Sequence, residues 1–176
     1  MRQLDAYKRI AFMCEQADFD PKDVYALSKI LFTLYQDSKI AAVPRKSSIS
    51  KEEETLQKQK LRREFLAIMR LPVSESFERQ KAFVWDALSV EWIDDKISMV
   101  IDKISNFPPD GAIYKKILEL SYLQNHYMSD LELFEACNLR KSAFYKKREA
   151  ALTLFGITLW NYAEAREQED KALGIV

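Results

Sequence analysis

Apolar side chains recur every three or four positions along most of this chain. That is the spacing of one face of an α-helix, not the alternation of a half-buried strand. Residues 3–16 place Leu4, Tyr7, Ile10, Ala11 and Cys14 on one such face and read as a first short helix. A start signal follows: Asp20 suits an N-cap, Pro21 the first helical position and Asp23 the first turn. Val24, Leu27, Leu31 and Leu34 then carry a second helix to about Gln36. The rhythm fails over residues 37–49, which gather Ser, Pro and Lys, and a flexible loop is expected there. Ser50 with Glu53 forms a capping box that opens a third helix ending near Met69. The first half of that helix is mostly charged and is expected to stay solvated.

Beyond Leu71-Pro72 a fourth helical stretch is expected from about Ser76, with Phe77, Phe83, Val84 and Leu88. A fifth pattern, Ile93, Ile97, Val100 and Ile104, forms a heptad-like stripe. The pattern leaves open whether these are one bent helix or two. Asn106-Phe107-Pro108-Pro109 ends the stretch, because neither proline donates a backbone hydrogen bond and Pro109 disfavours a helical Pro108. This break divides the chain into an N-terminal helical domain, 1–107, and a second domain, 108–176. In the second domain a helix is expected over 111–124, then a turn, then a short helix opened by the Ser129/Glu132 capping box and closed at Asn138. A long last helix begins near Lys141 and runs past Tyr162.

Composition agrees with this all-α reading. Three glycines and five prolines in 176 residues are too few for a fold made of many tight turns. Apolar residues at 48% and charged residues at 31% describe an ordinary globular chain. Lys and Arg exactly offset Asp and Glu, so any affinity for a polyanion must come from a local patch rather than from the whole field. Cys14 and Cys137 lie far apart in apolar helical contexts and are read as two buried free thiols, with no disulfide or zinc spacing. The opening MRQLDAYKRI lacks the apolar core of a signal peptide, and no run reaches the roughly 18 apolar residues of a membrane span. A cytoplasmic protein without a membrane partner is expected.

The chemistry for catalysis is thin. His126 is the single histidine, which argues against a nucleophilic triad or a histidine metal site. It reads as a surface residue of a turn. The carboxylate clusters Asp94-Asp95 and Glu52-Glu53-Glu54 read as solvated helix faces, and neither glycine-rich phosphate-binding signature occurs. Trp85, Trp92 and Trp160 fall in apolar stretches and are expected in a core or an interface. The chain is therefore read as a non-enzyme with no cofactor and no metal.

One constellation does carry a functional signal. A helix of about two turns, a turn at Asn138 and a second helix make the helix-turn-helix length pattern. Leu133, Cys137, Leu139, Phe144 and Leu152 are placed to fill the crossing of the two helices. Five of the nine residues from 140 to 148 are basic, and no acid interrupts them. Helical geometry turns Phe144 inward and puts Lys141, Ser142, Tyr145, Lys146 and Glu149 on the outward face. With Arg140 these are the candidates for contact in the major groove. Lys147 and Arg148 are better placed to clamp the phosphate backbone. Ser142 has a competing role as N-cap of its helix. The DNA-binding set is thus Arg140, Lys141, Ser142, Tyr145, Lys146, Lys147 and Arg148.

The stretch IDKISNFPPDGAIYKKILELSYLQ, with SDLELFEACNLRKSAFYKKREAALTLFG after it, resembles the phage ArpU/RinA-like transcriptional regulators and, more loosely, region 4 of sigma factors. The resemblance covers roughly residues 93–160. It rests on the IDKI and ILELSYL helices, the CNL turn, and a serine, an aromatic pair and basic residues ahead of Ala-Leu. Phe134 departs from it, standing where a small residue usually meets the second helix, and is expected to push the pair apart or change its angle. Asn138 replaces the usual turn glycine. The resemblance implies that Arg140, Lys141, Ser142, Tyr145 and Lys146 are recognition positions. It also implies a phage or prophage regulator of late or packaging genes, with double-stranded DNA as partner and RNA polymerase as a second one. A small terminase-like DNA-recognition subunit and a helical protein-interaction module without DNA binding are the alternatives. The isoleucine stripe, with Trp160 and Tyr162 on the last helix, predicts a homo-oligomer.

Overall fold

The computed structural model describes residues 5–43 and 50–174. Among the described residues the regular elements are eight α-helices and no strand. They are α1 (Ala6–Gln16), α2 (Pro21–Ile40), α3 (Lys51–Met69), α4 (Val73–Leu88), α5 (Trp92–Ile104), α6 (Gly111–Tyr122), α7 (Asp130–Cys137) and α8 (Lys141–Ala172). Residues 3 and 4 of the expected first helix and residues 44–49 of the expected loop lie outside the described residues.

Capping chemistry explains most of the boundaries. Asp5, Asp20, Ser50 and Ser129 each accept a hydrogen bond from a backbone N–H in the first turn of the helix they open. Helix α2 runs four residues beyond the expected Gln36, and in that extra turn Lys39 donates to the Leu123 carbonyl at 3.0 Å. Helix α4 starts at Val73 rather than Ser76, since Pro72 takes the N-cap position. Helices α4 and α5 are separate, parted at Glu91, whose φ of 57° breaks the helical path. Helix α6 can begin where it does because Gly111 has no Cβ. A side chain there would stand 2.5 Å from the Ile104 carbonyl oxygen.

Helix α8 is the axis of the molecule. Its 32 residues include an unbroken buried run from Ala150 to Ile157, which is possible only where neighbours cover every side. Helices α1, α2, α3, α5 and α6 all pack on it. Gly156 lets α2 approach closely, with Ser28 and Val24 lying where a larger side chain would stand. Around this axis Phe155 meets Phe32 edge-on at 4.5 Å, and Trp160 meets Phe19 at 4.8 Å. The Arg70 guanidinium covers both Phe19 and Trp160, 3.9 and 4.5 Å from their ring centres, and donates to the carbonyls of Ala17 and Asp18.

The packing bears on three expectations. The stripe Ile93, Ile97, Val100 and Ile104 is buried within the chain at 2% exposure or less, and Trp160 is buried too. These residues are core, so the surface from which self-association was expected is already used. Phe77 and Trp85 point outward from α4, at 48% and 56% exposure. Finally, the main buried cluster extends from Ile10 to Ala163, across the expected division at 107. A second, small cluster of Ile117, Leu133 and Phe144 lies between α6, α7 and the start of α8, so α6 and α8 belong to both. Among the described residues no helix is long and apolar enough to cross a membrane.

Candidate nucleic-acid interface

The basic segment 140–148 lies at the free end of α8, where the helix leaves the main core and meets α7. Helix α7 has eight residues. It ends because Asn138 adopts the left-handed conformation, φ 53° and ψ 45°. The Asn138 N–H donates to Glu135 O, and the Leu139 N–H reaches back to Phe134 O at 3.0 Å. Those two bonds satisfy carbonyls that the helix end would otherwise strand, and Leu139 packs on the small cluster with Phe134. Asparagine tolerates this conformation better than other residues with a Cβ, so the missing turn glycine has a compatible substitute.

Arg140 is extended, at ψ 157°, and is the N-cap of α8, without a side-chain cap bond. Ser142 is therefore already inside the helix. The alternative role of Ser142 as N-cap is excluded by that backbone conformation. Phe144, fully buried, anchors the segment against Ile117 and Leu133. Phe134 is accommodated edge-on to Phe144 at 5.2 Å and to Tyr145 at 5.6 Å, forming a group of three rings between α7 and α8. Cys137 borders the same cluster half-buried, while Cys14 is fully buried; both thiols are free. Burial raises the pKa of the Cys137 thiol, with Lys116 nearby opposing that rise.

The seven candidate residues divide by what they already touch. Arg140, Lys141 and Ser142 are exposed at the tip. Lys146, also exposed, lies over the Tyr7 ring of α1 at 4.6 Å. Arg148 stacks on Phe144 and Tyr145, at 5.4 and 5.2 Å. Lys147 forms a half-buried ion pair with Asp110 at 2.8 Å. The Tyr145 hydroxyl donates to Asp130 at 2.7 Å, and that bond to a carboxylate raises its pKa. Glu149 is exposed, beside the Tyr7 contact.

Sequence reasoning did not anticipate Tyr7, Asp110 or Asp130 as members of this surface. Asp130 belongs to a capping segment and Asp110 follows the proline pair. Nothing in their spacing announces that they hold residues 15 and 37 positions away. Tyr7 arrives from the other end of the chain. The positive field is also more local than the basic run suggests. Asp130, Glu132, Glu135 and Glu149 accompany the five cations between positions 129 and 149. Of the five cations only Lys147 is held in an ion pair among the described residues, and the two at the exposed tip, Arg140 and Lys141, also lie on no ring.

His126 is exposed in the turn between α6 and α7. Compared with protein-family models, curated proteins and solved structures, the chain finds no match in any of the three.

Proposed function

We propose that α7, the Asn138 turn and α8 act as a helix-turn-helix, and that the protein is a sequence-specific DNA-binding transcriptional regulator of the phage ArpU/RinA-like kind working in the cytoplasm. The observation that carries this reading is the exposed trio Arg140, Lys141 and Ser142 at the N-terminal end of α8. The first residues of a recognition helix are those that reach base edges when the helix enters the major groove. Two cations there supply phosphate attraction and bonds to guanine, and the serine hydroxyl donates to or accepts from a base edge.

The other candidates take supporting roles in this reading. Lys146 and Arg148 lie on aromatic rings with their charges still available to backbone phosphates. Lys147 and Tyr145, tied to Asp110 and Asp130, chiefly fix the angle at which α8 is presented. RNA polymerase as a further partner rests on the resemblance alone.

The test is selection of bound sequences from a random duplex pool, followed by salt titration of the winner and of random duplex. A defined motif supports the reading, with binding that weakens as salt rises. Failure to enrich any motif, together with no salt-dependent affinity for duplex DNA, refutes it.

A further inference from the structure

Far along α8 from the basic tip, a cavity of about 370 Å³ opens between α3, α5 and α8. Its charge is one-sided. Lys58, Arg62, Lys96 and Arg166 line it, against a single lining carboxylate, Asp170. Arg62 is neutralised where it sits, donating to Asp170 at 2.7 Å and to Glu167 at 2.6 and 3.0 Å, all three side chains being buried. That buried network clamps α3 to α8 and makes the wall a fixed one.

Of the remaining cations, Lys96 and Arg166 are less well compensated. Lys58 has Glu54 at 2.9 Å on the exposed rim. Arg166 reaches Glu169 and Asp170 only at 3.6 and 3.8 Å. Half-buried Lys96 has no carboxylate within ion-pair distance among the described residues. It donates to the Tyr162 hydroxyl at 3.1 Å and lies 4.7 Å from that ring's centre. Lys103, two helical turns further along α5, approaches the same ring at 5.7 Å. Since the Tyr162 oxygen accepts from Lys96, its own proton is free to donate elsewhere.

We propose that this cavity is a binding site for a small molecule carrying a phosphate or diphosphate group. Lys96 and Arg166, with Lys58 at the rim, and a phenol free to donate line one cavity and suit tetrahedral oxygens, and Arg166 offers the forked geometry that phosphate favours. Trp92 and Tyr162 supply flat apolar wall for the organic part of the ligand. The volume suits a small metabolite and lies within the range of ligand pockets. The site is separate from α7 and the tip of α8, so it stands whether or not those bind DNA.

The probe is inorganic pyrophosphate, titrated calorimetrically into the full chain at constant ionic strength set with sodium chloride. One saturable event per chain is expected. Lys96→Ala and Arg166→Ala should each weaken it about tenfold, the scale of one charge-assisted hydrogen bond. Lys147→Ala, in the other cluster, should leave it unchanged. Should either cavity variant melt well below the native chain, Lys58→Ala on the exposed rim gives the same reading with a smaller loss. Absence of a saturable event, or equal affinity in the native chain and every cavity variant, overturns the proposal. Displacement of pyrophosphate by short duplex DNA also overturns it, because the cavity would then belong to a nucleic-acid surface.

Discussion

Replacing Arg62 with methionine tests the buried network directly. Methionine keeps the length and much of the volume of the stem while removing the charge. Arg62 donates three bonds of 2.6 to 3.0 Å to Glu167 and Asp170, and its side chain is 6% exposed against 9% and 3% for the two acids. The variant leaves two buried carboxylates with only Arg63, which donates to Glu167 at 3.0 Å, and the long contacts of Arg166 to Asp170. Breaking a buried pair in this way costs about 3–5 kcal/mol. For a domain of this size that is about 6–20 °C in melting temperature.

The loss should also depend on pH, with a definite sign. Burial pushes the Glu167 carboxyl up, but the hydrogen bonds and charges of Arg62 and Arg63 outweigh it and hold the group below the ordinary glutamate value of 4.5. A depressed acid contributes stability that is present above its unfolded pKa and lost as pH falls through the folded value. Without Arg62 burial gains ground, and protonation relieves the variant rather than harming it. The gap between native and variant should therefore be widest near neutrality and narrow as pH falls towards about 4. Thermal melts monitored by circular dichroism from neutral to acid pH read this out. A loss below about 1 kcal/mol, or an equal loss across the range, would refute the argument that the network is desolvated and mutually dependent. As a control, Arg62→Met combined with Glu167→Met and Asp170→Leu should melt above the single variant, because no charge is left stranded.

Other substitutions test the remaining contacts. Gly156→Ala should destabilise by about 1–3 kcal/mol in urea unfolding despite alanine's better helix propensity, because the new Cβ collides with Ser28 Oγ and comes within 2.7 Å of Val24. Asn138→Gly should preserve or slightly raise the melting temperature, whereas Asn138→Ala should lower stability by about 1 kcal/mol, since position 138 has φ 53°. Under the proposed function, Arg140→Ala and Lys141→Ala should each reduce the slope of log affinity for duplex DNA against log salt by about one, and Lys147→Ala should change it less because Asp110 already holds that ammonium. Ser142→Ala should weaken the selected site relative to random DNA without lowering the melting temperature, because Arg140 and not Ser142 is the N-cap.

Local chemistry written in the sequence determined the helices of this protein. Spacings of three and four, the caps at Asp20, Ser50 and Ser129, and the prolines at 72, 108 and 109 act within a turn or two of the backbone. They can therefore be read without knowing what lies across the core. The same holds for the turn at Asn138 and for the inward Phe144, on which the candidate interface depends. An apolar stripe, by contrast, states only that a surface must be buried, not against what. The residues Ile93 to Ile104 were expected to meet a second chain, and they are buried instead within this one, where α8 passes through the middle of the fold. The same applies to charge. Residues 140–148 read as a basic run that no acid interrupts, but Asp110, Asp130 and Tyr7 come from three other segments to engage Lys147, Tyr145 and Lys146. Side chains on α3 and α8, more than a hundred positions apart, likewise meet in the Arg62 network. Such pairings depend on how the helices pack, and packing is decided by shape complementarity among distant residues, which no local pattern records.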